Sequence, residues 1–301
     1  MDVRGFLAAA EARGWLRRVD VTVDPHLELA RVVHAMGEEP VVFGSVKGWD
    51  GPVVAGLCAR RQHLSLGLGI ATEDLLPALL RALRAPIAPS VVDAAPCQEV
   101  VVEGKDVDLG RLPIVTHFEG DGGPYVTAGV AVINDPDLGR NLSYHRLMRV
   151  GRRCFTARLV EGRGAHRAWG KVGGDLPMAV CIGAPLAVQL AAAMSPAPGV
   201  DEMGIANALR PVPTVRAVGS DLFVPAETEI VLEGRLTHDL GDEGPFVDLT
   251  QTRDIVRQQP FFVVDRITHR RDPIYQALLP GGDEHRLLMG MPREPTIYDA
   301  V

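Results

Sequence analysis

The feature that most constrains the fold of this chain is a change in sequence pattern near residue 104. Beyond it, short runs rich in β-branched residues alternate with turns of Gly, Pro and Asp, for example in 125–135 and 228–237. Short strands at this spacing are typical of a β-barrel or a β-sandwich. One apolar stretch, 185–194, reads as a helix. We therefore predict a β-rich domain over residues 105–272, interrupted by one helix.

The first 104 residues have a different pattern. Apolar residues recur at helical spacing in 4–16, 26–36 and 71–86, whereas 39–48 reads as a strand that ends in a turn. These patterns predict an N-terminal α/β domain over residues 1–104, with a boundary placed to within about ten residues. The predicted fold class is therefore α+β.

The last residues form a third segment, 273–301. Within it, the stretch 283–301 predicts a strand, a turn and the first turns of a helix, because proline and acidic residues stand where a helix would begin. A helix of one or two turns has little stability of its own. We therefore expect residues 273–301 to be a linker or the start of a truncated C-terminal domain.

Charge and composition exclude several classes of partner. The formal net charge is −7, and nucleic acid or an anionic membrane would demand a basic face. No apolar run reaches the roughly 18 residues of a membrane span, and the N-terminus has no signal-peptide pattern. We predict a cytoplasmic protein with no nucleic acid or membrane partner. Its cysteines lack CxxC spacing and are expected to be reduced and buried: Cys58, Cys97, Cys154 and Cys181.

One acidic pair raises the question of a catalytic site. The stretch DLGDEGPFVDLT, 239–250, places Glu243 and Asp248 five residues apart. A straight strand would point these two carboxylates to opposite faces, but Gly244-Pro245 permits a sharp bend. Such a bend could turn both acids toward one cavity, where a nearby arginine would couple their titration. The alternative is a surface turn with two solvated acids.

A second polar cluster lies in the stretch GRNLSYHR. If this stretch is a strand, then Asn141, Ser143 and His145 share one face and Arg146 lies on the other. This density of polar groups is unusual for a plain hairpin arm. A solvated strand that follows the turn DPDLG explains the same residues equally well.

Two further features are weaker. A lone histidine such as His166 is more often a surface residue or a satisfied core residue than a ligand. The loop that follows the predicted helix at 185–194 presents Glu202, and its Pro and Gly residues could form a backbone platform for an anionic or planar ligand. An ordinary loop is the better interpretation of that segment on its own.

Taken in chain order, these features resemble the UbiD family of decarboxylases, which use prenylated FMN. The resemblance covers the whole chain. The motifs that carry it are LPIVTHFEGDGGPYVTAGVAVINDP, LSYHR, DLFVPAETEIVLEG, DEGPF and the tail DPIYQALLPGGDEHRLLMGMPRE. The combination is highly specific, although each motif alone is weak.

The resemblance implies a fold and a set of bound groups. The fold is an N-terminal α/β segment, a central split β-barrel similar to flavin reductases, and a C-terminal α/β domain. Asn141, His166 and Glu202 match positions that bind Mn²⁺ (or Mg²⁺), which bridges the phosphate of the cofactor, and a K⁺ ion is expected near Met194 and Ser195. The implied cofactor contacts are Asn141, Ser143, Tyr144, His145, Arg146, His166, Met194, Ser195, Pro196 and Glu202.

The resemblance also implies a reaction. Arg146, Glu243 and Asp248 match a catalytic network for the reversible, non-oxidative decarboxylation of an aromatic or α,β-unsaturated carboxylic acid. Arg146 would pair with Glu243 and orient the substrate carboxylate, and Asp248 would be the general acid–base. The implied partners are a UbiX-type flavin prenyltransferase, which supplies the cofactor, and further copies of the chain in a homodimer or higher homo-oligomer.

The sequence departs from the family pattern in one place. Val247 stands where the family usually has glycine, and LTQTRD replaces a TGYY-like run after Asp248. We expect these residues to shape the substrate pocket. Two alternatives to a decarboxylase stay open: an inactive or cofactor-free remnant of such an enzyme, and a flavin-binding oxidoreductase built on the same barrel.

Overall fold

The computed structural model describes residues 1–300 and shows a mixed α/β fold. Its helices are α1 (Val3–Glu11), α2 (Glu28–Met36), α3 (Arg61–Leu68), α4 (Leu75–Arg84), α5 (Gly164–Lys171), α6 (Leu186–Ala192), α7 (Glu202–Leu209), α8 (Asp283–Gly290) and α9 (Glu294–Ala300). The helices predicted in 4–16, 26–36, 71–86 and 185–194 correspond to α1, α2, α4 and α6.

The strands lie mostly in the second part of the chain, as the pattern of β-branched runs predicts. They are β1 (Arg17–Val19), β2 (Val41–Phe43), β3 (Val53–Ala55), β4 (Val91–Val92), β5 (Val100–Glu103), β6 (Tyr125–Val126), β7 (Val130–Asp135), β8 (Gly139–Tyr144), β9 (Leu147–Arg149), β10 (Cys154–Ala157), β11 (Leu176–Ile182), β12 (Thr214–Arg216), β13 (Phe223–Pro225), β14 (Ile230–Glu243), β15 (Phe246–Val247), β16 (Arg253–Asp254), β17 (Arg257–His269) and β18 (Tyr275–Gln276).

Within residues 1–300 these strands form four sheets. The largest has the order β6-β9-β10-β17-β14-β11-β7-β8, with β5 paired to β17. The smaller sheets have the orders β1-β2-β3-β18, β13-β12-β4 and β15-β16. The path of the largest sheet ends at β6 and β8 and does not close among the described residues, so the split-barrel detail stays a prediction. The domain boundary near residue 104 likewise stays a prediction.

The largest sheet is buried on both faces. Successive residues of β7 alternate between two apolar cores, with Val130 and Val132 in one and Ala131 and Ile133 in the other. Residues of α1, α3, α4, α6 and α7 complete the first core, and residues of α2, α5, β2 and β3 complete the second. The period of two along a strand explains this division.

The two longest strands carry the candidate site at one end. β14 and β17 are antiparallel, and their pairing runs from Ile230↔His269 to Glu243↔Arg257. The register shifts between Leu236 and Leu240, which is the signature of a β-bulge. A bulge changes the direction of the side chains beyond it. Glu243, the last residue of β14, is therefore buried.

Two local predictions are wrong. Residues 105–272 contain three α-helices, α5, α6 and α7, and not one. Residues 283–290 form helix α8 and not a strand. The acidic residues Asp283 and Glu284 stand in its first turn, where they complement the helix dipole. Glu284 is also buried and accepts hydrogen bonds from the backbone N–H groups of Gly56 and Cys58. These contacts from the N-terminal segment were not visible in the local pattern.

None of the helices in residues 1–300 has the length and apolar character needed to cross a lipid bilayer.

Candidate active site

Arg146 and Glu243 form a buried, bidentate ion pair. Arg146 Nε donates to Glu243 Oε1 and Arg146 Nη2 donates to Oε2, both at 2.8 Å. The Glu243 side chain is fully buried and that of Arg146 is 10% exposed. A parallel pair of this kind fixes the plane of the guanidinium group. The two residues lie 97 positions apart, so only tertiary structure brings them together.

Asp248 reaches the same arginine. Its Oδ2 accepts from Arg146 Nη1 at 3.3 Å, while its side chain stays 48% exposed. Gly244-Pro245 separates β14 from β15, and Gly244 adopts a φ of +102°. The bend therefore turns both acids toward one cation, which is the arrangement expected of a site and not of a solvated turn.

A third carboxylate on Arg146 was missed by the sequence reasoning. Asp254 Oδ2 accepts from Arg146 Nη2 at 2.8 Å, and its Oδ1 accepts from Arg257. Partial burial alone would raise the pKa of Asp254, but the hydrogen bonds from Arg257 and Arg146 lower it to about 2. The sequence could have predicted a β-hairpin here, because short extended segments lie on both sides of the polar turn LTQT. Such a hairpin brings Asp254 back beside Phe246.

Aromatic rings support the cluster. The Arg146 Cζ lies 4.6 Å from the centroid of the Phe246 ring, and the Tyr125 ring lies 4.5 Å from the same ring. Tyr125 Oη donates to Glu243 Oε1 at 3.1 Å. Burial and the neighbouring Glu243 carboxylate raise the pKa of Tyr125, so it stays a protonated donor.

The net effect of this environment on Arg146 is to hold it charged. Burial alone would lower the pKa of Arg146, but the hydrogen bonds and the charge of Glu243, together with Asp254 and Asp248, raise it above its ordinary value. A cation that is permanently charged, planar and partly desolvated is suited to orient a carboxylate.

The polar cluster of β8 lies on one strand face. Ser143 Oγ is 3.4 Å from Asn141 Oδ1 and 2.9 Å from His145 Nε2. His145 Nδ1 is 2.9 Å from the carbonyl oxygen of Arg158. Burial lowers the pKa of His145, so its imidazole is neutral at neutral pH. The structure thus places Asn141, Ser143 and His145 in one hydrogen-bonded row.

Glu202 opens α7 and points at this row. Its Oε1 accepts from Asn141 Nδ2 at 3.1 Å and its Oε2 accepts from the Leu142 backbone N–H at 3.0 Å. Arg140 and Asp201 form an ion pair that ties β8 to the start of the helix. Glu202 is 5% exposed, and burial raises its pKa to about 7. A cation beside it would compensate this buried carboxylate.

His166 lies near this row without bonding to it. It belongs to α5, whose first residue, Gly164, packs so closely that a Cβ there would lie 3.1 Å from the Asn141 amide. Within residues 1–300 no direct hydrogen bond joins His166 to Asn141 or to Glu202; its Nδ1 accepts from Gly162 N–H at 3.4 Å.

The remaining predicted contacts lie in the loop after α6 and at the end of β8. Met194 is buried, and Ser195 and Pro196 follow it, partly exposed, in the loop between α6 and α7. Tyr144 is a stronger observation, because its hydroxyl oxygen is buried without a hydrogen-bond partner in the described part of the chain. A buried polar atom of this kind usually has a partner in the complete assembly.

Two cavities lie away from this cluster of charged groups. A cavity of about 620 Å³ lies beside Trp49, Arg111 and His269, and one of about 330 Å³ lies beside Arg31 and His117. Neither is lined by the acids that contact Arg146. We locate the site by its convergent charged groups and not by cavity size.

Comparison with known proteins identifies the family of the chain. Residues 90–283 match the family profile described as 3-octaprenyl-4-hydroxybenzoate carboxy-lyase Rift-related domain. Residues 7–83 match the corresponding N-terminal domain.

Individual relatives cover nearly all of this chain. Anhydromevalonate phosphate decarboxylase of Methanosarcina mazei is 38% identical over 310 residues, which cover 100% of this chain and 70% of the relative. The structure of an evolved dimeric form of the UbiD-class enzyme HmfF from Pelotomaculum thermopropionicum, in complex with prFMN, aligns with a TM-score of 0.95 at 35% identity, covering 99% of this chain and 72% of that one. Vanillic acid decarboxylase from Sedimentibacter hydroxybenzoicus aligns with a TM-score of 0.92 at 29% identity, covering 99% and 68%.

Proposed function

The chain belongs to the UbiD family and is a decarboxylase, and on that premise we propose that it catalyses the reversible, non-oxidative decarboxylation of an aromatic or α,β-unsaturated carboxylic acid with prenylated FMN. The observation that carries this proposal is the convergence of Glu243 and Asp248 on Arg146. One acid is buried in a bidentate pair and the other is half exposed. A purely structural protein would not require one buried and one half-exposed carboxylate on the same arginine.

The two acids have different roles in this proposal. Glu243 holds the guanidinium plane of Arg146, and Tyr125 in turn holds Glu243. Arg146 binds and orients the substrate carboxylate. Asp248 can exchange protons with solvent because it is exposed, and it delivers a proton to the carbon atom that loses CO₂. Positioned general acids contribute on the order of 10²–10⁴ in rate.

The cofactor, when bound, supplies an electron sink for the carbon atom that loses CO₂. The residues present fit it. Asn141, which shares the row with Ser143 and His145, donates a hydrogen bond to the buried carboxylate of Glu202. Carboxylate and amide oxygens together with an imidazole are suitable ligands for Mn²⁺ or Mg²⁺.

We propose that Asn141, His166 and Glu202 hold this divalent ion and that the loop containing Met194, Ser195 and Pro196 contributes to the cofactor site and to a K⁺ site. The raised pKa of Glu202 supports the proposal, because a buried carboxylate without a cation is costly to ionise.

The names of the relatives support two substrate classes. The curated relatives are named for anhydromevalonate phosphate, and the structural neighbours include decarboxylases named for vanillic acid and 3,4-dihydroxybenzoic acid. A substrate panel should therefore contain aromatic acids, α,β-unsaturated acids and anhydromevalonate phosphate.

We further propose that this is a cytoplasmic enzyme that receives its cofactor from a UbiX-type flavin prenyltransferase and acts as a homodimer or higher homo-oligomer. An evolved dimeric form of one structural neighbour shows that a protein of this fold can assemble as a dimer. A split barrel around the cofactor remains part of this proposal.

The test is co-expression with a flavin prenyltransferase, followed by measurement of CO₂ release and of H/D exchange across the substrate panel. Asp248→Asn should abolish both reactions while cofactor absorbance is retained. Asp242→Asn, which changes an exposed acid near the end of β14, should leave both unchanged. Full activity in Asp248→Asn would remove Asp248 from the mechanism. A wild-type protein that stays colourless and inactive would favour the remnant alternative.

A further inference from the structure

The outer edge of Arg146 is already occupied. Its guanidinium has five N–H donors, and Glu243 engages Nε and Nη2. Nη2 also donates to Asp254 at 2.8 Å, and Nη1 donates to Asp248 at 3.3 Å. A carboxylate that pairs side by side with an arginine uses two nitrogens. The Nη1–Nη2 edge, which is left for a substrate, is therefore shared by two aspartates.

Asp254 is the better anchored of the two. Its Oδ1 accepts from Arg257 and, at 2.9 Å, from the Ile255 backbone N–H. Its side chain is 19% exposed, against 48% for Asp248. When Asp254 leaves Arg146, it therefore keeps a cation and a backbone donor, so its charge stays compensated.

The strand register fixes where Asp254 lies. In the β15–β16 hairpin it stands directly opposite Phe246, whose ring lies under the Arg146 guanidinium. Asp254 thus faces Arg146 because of the hairpin, and not through a flexible side chain that happens to reach it.

The contact between Asp254 and Arg146 affects substrate binding through the charge balance of the site. The cluster of three acids, Glu243, Asp248 and Asp254, faces two guanidinium groups, those of Arg146 and Arg257. A substrate carboxylate adds a further negative charge at the same edge. Like charges at this distance repel, so binding requires one acid to give up its place on Arg146.

We propose that Asp254 occupies the substrate-carboxylate position of Arg146 in the resting enzyme and yields it to the substrate, while Arg257 retains Asp254. Asp254 is then a specificity-determining residue, because only a ligand with its own carboxylate competes for that edge. This inference rests on the proposed function, in which Arg146 orients the substrate carboxylate.

The first test is Asp254→Asn, which keeps the shape of the side chain and removes its charge. Crotonate, a small α,β-unsaturated acid, should bind about tenfold more tightly by calorimetry, which is about 1.4 kcal/mol. The uncharged analogue crotonamide should bind equally to both proteins. In the cofactor-loaded enzyme, kcat/KM should rise mainly through a lower KM.

The second variant predicts the opposite sign. Arg257→Gln removes the alternative partner of Asp254, so Asp254 should hold Arg146 more strongly and crotonate should bind more weakly. The matched control is Asp265→Asn, because Asp265 also bridges two arginines, Arg153 and Arg235, outside the site. It should leave crotonate binding unchanged. Urea unfolding of each variant identifies any that do not fold.

Two outcomes overturn the inference. One is that Asp254→Asn does not bind crotonate more tightly than the wild type, which includes no detectable binding to either protein. The other is that Arg257→Gln binds crotonate more tightly. The proposed function fails separately, if no acid of the panel releases CO₂. If crotonate binds more tightly to Asp254→Asn but no acid is turned over, the role of Asp254 is supported and the proposed decarboxylation is rejected.

Discussion

Removal of Arg146 should cost more stability than removal of its buried partner. In Arg146→Met the carboxylate of Glu243, which has no exposed surface, keeps only the hydroxyl of Tyr125 as a side-chain donor among residues 1–300. A buried charge stranded in this way typically costs about 3–5 kcal/mol of unfolding free energy. In Glu243→Gln the arginine keeps Asp248 and Asp254, so the loss should be nearer the about 1–3 kcal/mol of a broken buried hydrogen bond.

The assay is urea unfolding followed by circular dichroism, supported by thermal melts. At about 2 °C per kcal/mol for a chain of this size, Arg146→Met should melt about 6–10 °C below the wild type. The double variant Arg146→Met/Glu243→Gln should recover part of the loss, because it no longer contains the stranded charge.

A matched control is Arg216→Met, which breaks the exposed ion pair with Asp221 and should cost little. The reasoning is refuted if Arg146→Met is no less stable than Glu243→Gln, or if the double variant is less stable than both single variants.

Four further predictions follow from single residues. Burial raises the pKa of Glu284 from 4.5 to about 7, so the folded protein keeps a proton that the unfolded chain releases. The free energy of unfolding should therefore fall by up to about 3 kcal/mol between pH 4.5 and 7. In urea titrations, Glu284→Gln should make this fall smaller. MnCl₂ should raise the melting temperature of the wild type but not of Glu202→Gln, and an equal rise in both would exclude this carboxylate as a ligand. Gly244→Ala should lose about 1–3 kcal/mol in the same urea assay, because its Cβ would lie 2.9 Å from the Ile255 carbonyl oxygen at a φ of +102°. Gln251→Gly should raise the free energy of unfolding by up to about 1 kcal/mol, since Gln251 has a φ of +60°; a lower free energy of unfolding would show that its side-chain contact dominates.

Local sequence pattern predicted the helices that pack one apolar stripe, such as α1 and α4, because their period of 3.6 residues is a local property. It failed at 283–290, which was predicted to begin with a strand and forms helix α8. The deciding contact there is Glu284 with the backbone of Gly56 and Cys58, more than 220 residues away. No local window contains that information.

The candidate site divides in the same way. The sequence by itself determined that Asn141, Ser143 and His145 share a strand face, and that Gly244-Pro245 separates two acids by a bend, because both properties follow from backbone geometry over a few residues. Only the tertiary structure decided that Arg146 meets Glu243 and that Asp254 returns to the same guanidinium. Those contacts depend on the register of β14 with β17, on the bulge before Leu240 and on the β15–β16 hairpin. Strand register is set by long-range pairing and burial, which a linear pattern does not encode residue by residue.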